Sequence, residues 1–164
     1  MCQCECHSNA GPAVGLGLAI ALASDIRIGS SKCSFNVGFT SLGLSGTDMG
    51  VSYLLPKIVG VPKATEMMLT GSTIMAQEAK QMHLLNHMVE TKEEMRRTAQ
   101  KIADKILEGS PWGMFLTKQQ VKAALDGATL KQTLLAENSH QTYLLSREEV
   151  MKLARAKLAR ISKL

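Results

Sequence analysis

Acid–base side chains are sparse in the glycine-rich first part of the chain. One carboxylate, Asp48, lies in a loop-like stretch, residues 43–50, ahead of a predicted helix. A carboxylate in such a position can accept a proton from one atom and return it to another. Aspartate also commonly caps a following helix through its side-chain oxygen. The residues alone leave both roles open for Asp48.

Cysteines crowd the beginning of the chain. The cluster consists of Cys2, Cys4, Cys6 and His7. Thiolate and imidazole are ligands that zinc and copper accept. No second cluster follows to complete a structural site, and the fourth cysteine, Cys33, stands alone in a strand-like stretch. We therefore expect no bound metal and a reduced, disordered N-terminus over residues 1–10.

Residues 12–23 form an apolar segment that resembles the hydrophobic part of a secretory signal. No Lys or Arg precedes it, and such signals begin with positive charge. The segment is also too short to cross a bilayer as a helix, so no membrane span is expected. Since residues 13–23 are apolar on every side of a helical projection, we expect a buried helix there.

Gly15, Leu16 and Gly17 form a glycine-rich turn at the start of this segment. A dinucleotide-binding turn has this composition, but it requires a preceding strand and an acidic residue about twenty positions further on. Here Asp25 follows much sooner. The dinucleotide-binding interpretation therefore fails.

Composition predicts one globular domain. Of the 164 residues, 45% are hydrophobic and 20% are charged, which is typical of a folded chain. Ten methionines against few aromatic residues predict an aliphatic, thioether-containing core. The net charge of +5 suits a phosphorylated small molecule, whereas nucleic acid is not expected because no basic stripe with interleaved aromatics occurs.

Periodicity divides the chain into a mixed first part and a helical second part. Short strands are predicted at residues 25–28 and 33–37, and a helix or turn at 52–59. Met95, Ala99, Ile102 and Ile106 predict a helix over residues 91–107. Further helices are predicted to begin at Ser110-Pro111, to contain Leu130, Leu134 and Leu135, and to cover residues 148–161. The expected organisation is a core over residues 11–60 and a helical region over 61–164.

Several motifs occur in an order typical of one family. The first is the run GPAVGLGLAIALASDIRI at residues 11–28. It is followed by Phe35 and by the stretches 43–50, 54–60, 64–71 and 76–86. Over about residues 11–137 the chain resembles the enoyl-CoA hydratase/isomerase (crotonase) family, and it corresponds to the C-terminal two-thirds of that family's domain.

The resemblance implies an α/β fold, a truncated spiral of ββα units followed by helices that mediate trimerisation. It also implies an acyl-CoA thioester as substrate, no separate cofactor, and a homotrimer or hexamer. The family stabilises an enolate with two N–H donors, as a developing oxyanion requires. One donor corresponds to Leu16, between Gly15 and Gly17; the alternative is that these two glycines only allow close packing. The second donor comes from the first third of the family domain, for which residues 1–10 offer no counterpart.

The family's two catalytic glutamates fall at Ala19 and Phe39, and neither side chain can transfer a proton. Phe39 would therefore contact substrate rather than react. By resemblance to isomerases of the family, Asp48 becomes the single carboxylate that shifts a double bond in fatty-acid β-oxidation. The alternative is a catalytically inactive truncated protein that acts as a CoA-binding or oligomerisation module.

The chain finishes with Ser162, Lys163 and Leu164. At a free C-terminus this tripeptide is the address read by the peroxisomal import receptor. We therefore expect that receptor as a partner and the peroxisome as the location.

Overall fold

The computed structural model describes residues 6–161. The first elements are β1 (Cys6–Asn9), β2 (Pro12–Val14), α1 (Leu16–Ala23), β3 (Ile26–Ser30), β4 (Ser34–Asn36), a 3₁₀ helix (Thr40–Leu42), α2 (Val51–Val59), α3 (Val61–Thr70), β5 (Ile74–Met75), α4 (Ala76–Gln81) and β6 (His87–Val89). They are followed by α5 (Lys92–Leu107), α6 (Pro111–Leu125), α7 (Leu130–Leu145) and α8 (Glu148–Ile161). These residues form two compact units, which we call the front unit (6–101) and the helical unit (102–161).

The strands of the front unit form two three-stranded sheets. One has the order β1-β3-β6 and is parallel throughout. The other has the order β2-β4-β5, with β2 parallel and β5 antiparallel to β4. Because the first four strands alternate between the sheets, β1-β2-α1 and β3-β4-α2 are two successive ββα units stacked in parallel.

The core of the front unit is aliphatic, as the composition predicts. Phe35 on β4 and Met67 on α3 are fully buried in it. The other buried members come from both ββα units and from α3 to β6: Ala13, Leu18, Ala19, Ala21, Leu22, Cys33, Val37, Val51, Leu55, Ala64, Ile74, Ala76, Ala79, Leu84 and Leu85. This packing holds α1 and α2 against each other and fixes the segments that precede them.

The sequence predicted one buried helix over residues 13–23, but the structure differs from this prediction. Gly15 has φ 54° and ψ −113°, and it separates strand β2 from helix α1. Within α1, Leu16 is 55% exposed and Ile20, one turn later, is 50% exposed. The prediction was wrong because composition shows that a face is apolar but not whether another element covers it.

Residues 1–10 were expected to be disordered, but the second half of this segment is ordered. Residues Cys6–Asn9 form β1, which pairs with β3 from Cys6↔Ile26 to Asn9↔Gly29. The polar run CHSN carries no alternating pattern, and its pairing depends on main-chain groups that every residue has. Cys2 and Cys4 of the predicted cysteine cluster lie outside the described residues.

The division between the units falls after residue 101 rather than after residue 60. The expected boundary was too early because α3, α4 and the segment before β6 contribute buried side chains to the same core. Met67, Ile74 and Leu84 are examples. The helices predicted at 91–107 and 148–161, and those beginning near Ser110 and containing Leu130, are confirmed, and the segment 52–59, predicted as a helix or turn, is helical.

In the helical unit, α6 and α7 each begin with a side-chain cap. The Ser110 hydroxyl accepts a hydrogen bond from the Gly113 N–H at the start of α6. Thr129 and Gln132 form a reciprocal capping box at the start of α7, which satisfies donors that a helix start leaves unpaired. Across the described residues, no helix is long and apolar enough to span a membrane.

Candidate active site

The glycine turn presents unpaired backbone donors at the start of α1. The Gly15 N–H donates to the Asn36 carbonyl at 3.1 Å, and the Gly15 carbonyl accepts the first intrahelical bond, from Ala19, at 3.0 Å. The N–H groups of Leu16, Gly17 and Leu18 therefore precede the helical ladder, and each lacks a helical acceptor. The positive end of the helix dipole adds to their attraction for a developing oxyanion.

The ring of Phe39 lies against this turn. A side chain built on Gly15 would stand 3.5 Å from Phe39 Cζ and 3.7 Å from the Val37 carbonyl oxygen. Phe39 is half-buried and packs on the core. The structure thus places Phe39 beside Gly15, whereas a side chain built on Gly17 would face Ala13, 3.8 Å away.

Gly38 is a further part of this arrangement that the sequence analysis missed. It has φ 81°, and a side chain there would stand 2.7 Å from Val14 Cγ1 and 3.3 Å from the Gly15 nitrogen. The Gly38 backbone therefore approaches the glycine turn more closely than another residue type allows. The signal was an isolated glycine directly after a predicted strand, which commonly marks such an approach.

Asp48 lies in the exposed loop between the 3₁₀ helix and α2. Its carboxylate accepts a hydrogen bond from the Met49 N–H at 2.7 Å, and its carbonyl accepts from Val51 at 2.9 Å. The N-cap of α2 is Gly50, which provides no side-chain cap. Asp48 therefore stabilises the tight turn before α2 and does not cap the helix in the usual way, so its carboxylate remains open to solvent.

The loop that carries Asp48 is anchored on the end of α3. The Thr40 hydroxyl donates to the Met68 carbonyl at 2.7 Å. A side chain on Gly46 would overlap the same carbonyl oxygen, so the loop touches α3 through bare backbone. These contacts give the Asp48 loop a defined position relative to the front-unit core.

Large apolar side chains are exposed on the elements that carry these residues. They are Val14, Leu16, Ile20, Leu42, Leu44, Met49 and Tyr53. A cleft of about 490 Å³ opens beside β2 and β4, lined by Pro12, Val14, Ser34, Asn36, Gly38, Ser41, Leu42 and Thr73. Exposure of this extent marks a surface that binds an apolar ligand or another protein surface.

Arg27 fixes the far end of α1. Its guanidinium is buried and donates to the carbonyl oxygens of Ser24 and Leu84, each at 2.7 Å. Burial lowers the pKa of Arg27, and the charge of Asp25 partly opposes that shift. Burial also raises the pKa of the Cys33 thiol, so this cysteine packs as a small apolar side chain. Within the described part of the chain, no group of three His, Cys, Asp or Glu residues is placed to hold a metal ion.

Comparison with known proteins gives consistent matches. The family described as enoyl-CoA hydratase/isomerase matches residues 9–157. A relative from Mycobacterium leprae, described as the probable enoyl-CoA hydratase echA12, is 37% identical over 123 residues, which are 75% of this chain and 42% of the relative.

Two solved structures extend the comparison. A probable enoyl-CoA hydratase/isomerase from Mycobacterium abscessus has a TM-score of 0.86 and 33% identity, over 93% of this chain and 58% of that one. A monofunctional enoyl-CoA isomerase from M. smegmatis has a TM-score of 0.68 and 35% identity, over 76% of this chain and 57% of that one. The crotonase-like α/β fold class predicted from the sequence is thereby confirmed, and the chain spans about half the length of these relatives.

Proposed function

The chain belongs to the enoyl-CoA hydratase/isomerase family, and we propose that it shifts the double bond of a fatty enoyl-CoA with Asp48 as its single carboxylate. One observation carries the proposal. Ala19, at the family's first glutamate position, is buried in the core, and Phe39, at the second, packs its ring on the glycine turn. Asp48, in the exposed loop before α2, is the carboxylate to which the proposal assigns the proton transfer.

In the proposed reaction Asp48 carries the proton, and Leu16 provides one of the two oxyanion donors that the family uses. The Leu16 N–H donates to the thioester carbonyl oxygen, so charge can move onto that oxygen. Asp48 removes a proton from the carbon next to the carbonyl, and the electrons of that C–H bond form an enolate conjugated with the 3,4 double bond. Asp48 then returns the proton to carbon 4, which leaves the double bond at carbons 2 and 3.

The surroundings of Leu16 and Asp48 support a fatty acyl substrate. Exposed apolar side chains flank both residues, among them Ile20 beside Leu16 and Met49 beside Asp48. A long acyl chain would bury such groups at about 25 cal/mol per Å² removed from water. The relatives include hydratases and an isomerase, so the choice of isomerisation rests on the residues at the carboxylate positions.

The second candidate function is a non-catalytic CoA-binding or oligomerisation module. The observation that favours it lies in α6 and α7, where none of the residues is buried within the chain itself. In this alternative the helical unit binds other subunits, and the glycine turn retains thioester binding without proton transfer.

Asp48→Asn tests the proposal because it keeps the size of the side chain and removes the base. We expect 3-hexenoyl-CoA isomerisation, followed by the ultraviolet absorbance of the conjugated product, to fall by about 10²–10⁴-fold. The melting temperature should be unchanged, since the Asn carbonyl can still accept the Met49 N–H. Wild-type protein should not hydrate but-2-enoyl-CoA above the buffer rate.

Asp104→Asn is the matched control, because it makes the same chemical change at an exposed position of α5, and it should retain full turnover. Isomerase turnover in Asp48→Asn equal to wild type would end the catalytic role of Asp48. A wild-type chain that binds acyl-CoA but isomerises nothing would favour the non-catalytic module.

A further inference from the structure

The side-chain amide of Asn36 connects three segments of the front unit. Its Nδ2 donates to the Gly71 carbonyl at 2.7 Å and to the Thr73 hydroxyl at 2.9 Å. Its Oδ1 accepts from the Gly38 N–H at 2.6 Å. The main-chain carbonyl of Asn36 also accepts from the Gly15 N–H. One residue at the end of β4 is therefore bonded to the segment before β5, to the turn after β4 and to the glycine turn.

Gly38 transmits the position of Asn36 to the glycine turn. The Gly38 backbone lies directly against Val14 and the Gly15 nitrogen. It keeps its φ of 81° while its N–H is held by Asn36 and its carbonyl by the Ser41 hydroxyl, at 2.7 Å. Moving Gly38 would therefore move Gly15 or open a gap beside it.

Phe39 also lies beside Gly15. It follows Gly38 directly, and its ring is in contact distance of a side chain built on Gly15, with Cζ 3.5 Å away. Gly38 and Phe39 thus both lie against Gly15, whose φ of 54° sets the direction in which the next N–H, that of Leu16, points.

We propose that Asn36 is a positioning residue that aims the Leu16 N–H at the thioester oxygen by holding Gly38 and Phe39 against Gly15. The inference rests on the proposed function, since the direction of this N–H matters only when it polarises a bound thioester. Asn36 itself does not touch the reacting atoms in this scheme. Its amide provides both the donors and the acceptor that the arrangement needs, which a carboxylate cannot do.

Asn36→Asp tests the inference because it keeps the acceptor for Gly38 and places an oxygen against the Gly71 carbonyl. We expect kcat for 3-hexenoyl-CoA to fall by about 10- to 100-fold, because a small misplacement of a reacting group has an effect of this size on the rate. KM should stay within about threefold of the wild-type value. In wild type, the NMR signal of the Leu16 amide should shift when butanoyl-CoA binds. We expect this shift to be smaller in the variant. A residue that merely stabilised the fold would lower the melting temperature without this division between kcat and KM.

Thr73→Val is the milder variant, since it removes one acceptor of the Asn36 amide and leaves the bond to Gly71. It should change kcat and the Leu16 signal in the same direction, by about two- to fivefold in rate. Asn138→Asp, at an exposed position of α7, makes the same chemical change as Asn36→Asp and should alter neither quantity.

Wild-type kcat in Asn36→Asp would overturn the positioning role and leave the proposed function standing. If Asn36→Asp does not fold, an unchanged kcat and an unchanged Leu16 signal in Thr73→Val would overturn the positioning role instead. A wild-type chain without turnover, in which butanoyl-CoA shifts the Leu16 signal and Asn36→Asp weakens that shift, would refute isomerisation and support positioning. A Leu16 signal that butanoyl-CoA leaves unmoved in wild type would overturn both.

Discussion

Arg27 joins the end of α1 to the strand that follows and to the segment before β6. Its guanidinium donates to two carbonyl oxygens, and its backbone N–H donates to Asn86 Oδ1 at 2.8 Å. The Asn86 N–H donates back to the Arg27 carbonyl at 2.9 Å. Burial lowers the pKa of the guanidinium, but arginine remains protonated at neutral pH. The charge is tolerated in the interior because backbone oxygens replace the water that it loses.

Arg27→Met should therefore lower the free energy of unfolding by roughly 2–5 kcal/mol, because two buried carbonyls lose their donors at about 1–3 kcal/mol each. Urea unfolding followed by circular dichroism measures the change. Arg97→Met is the control: Arg97 lies on α5 with its side chain 71% exposed, and surface substitutions of this kind stay within about 0.5 kcal/mol. Equal destabilisation by the two substitutions would show that the Arg27 hydrogen bonds contribute little.

At the scale of elements, the helices could be predicted from the sequence and most of the short strands could not. The 91–107 prediction differs from α5 (Lys92–Leu107) by one residue, because a helix carries its own periodicity and caps. Strands β2 and β5 have three and two residues, and their partners are distant in the sequence. No local pattern specifies such pairing.

The same reason limits what the sequence could show about the site. The family resemblance singled out Gly15, Leu16 and Phe39 as candidate site residues. The approach of the Phe39 ring to Gly15, however, depends on the register that pairs Val14 with Asn36. The positioning contacts of Asn36 and Gly38 follow from that register as well. The partners in these contacts are backbone carbonyls and common hydroxyl side chains, and their occurrence in a sequence does not predict which groups they will bond.

The exposed faces of α6 and α7 lead to a prediction about assembly. Their large apolar side chains include Trp112, Met114, Val121, Leu125, Leu130, Leu134, Leu135, Tyr143 and Leu145. Because exposed apolar surface drives association, we expect trimers or hexamers at micromolar concentration, measured by light scattering coupled to gel filtration. Leu134→Glu should shift the distribution toward the monomer.

Lys131→Glu is the matched control for assembly, since it reverses a charge at an exposed position of the same helix. It should leave the distribution unchanged. A wild-type chain that remains a stable monomer at micromolar concentration would contradict the prediction.

For the molecule as a whole, we propose delivery to the peroxisome through Ser162, Lys163 and Leu164, which lie outside the described residues. A fluorescent reporter joined to the N-terminus of this chain should colocalise with a peroxisomal marker, because the import receptor reads the tripeptide at a free C-terminus. Deletion of Leu164 should leave the fusion diffuse in the cytosol. A reporter joined to the C-terminus masks the tripeptide and is the control. Diffuse fluorescence of the first fusion would refute the targeting.

The stacking of β3 on β1 and of β4 on β2 joins two ββα units, here called coils, as neighbouring repeats are joined in a solenoid. In such a stack the interface between neighbouring coils contributes to stability beside the coils themselves. Order can then propagate from one coil to the next. Because Gly15 donates to Asn36 across such an interface, the position of the Leu16 N–H, the proposed oxyanion donor, depends on the junction between coils. Loosening that junction should disorder this N–H before the helices melt.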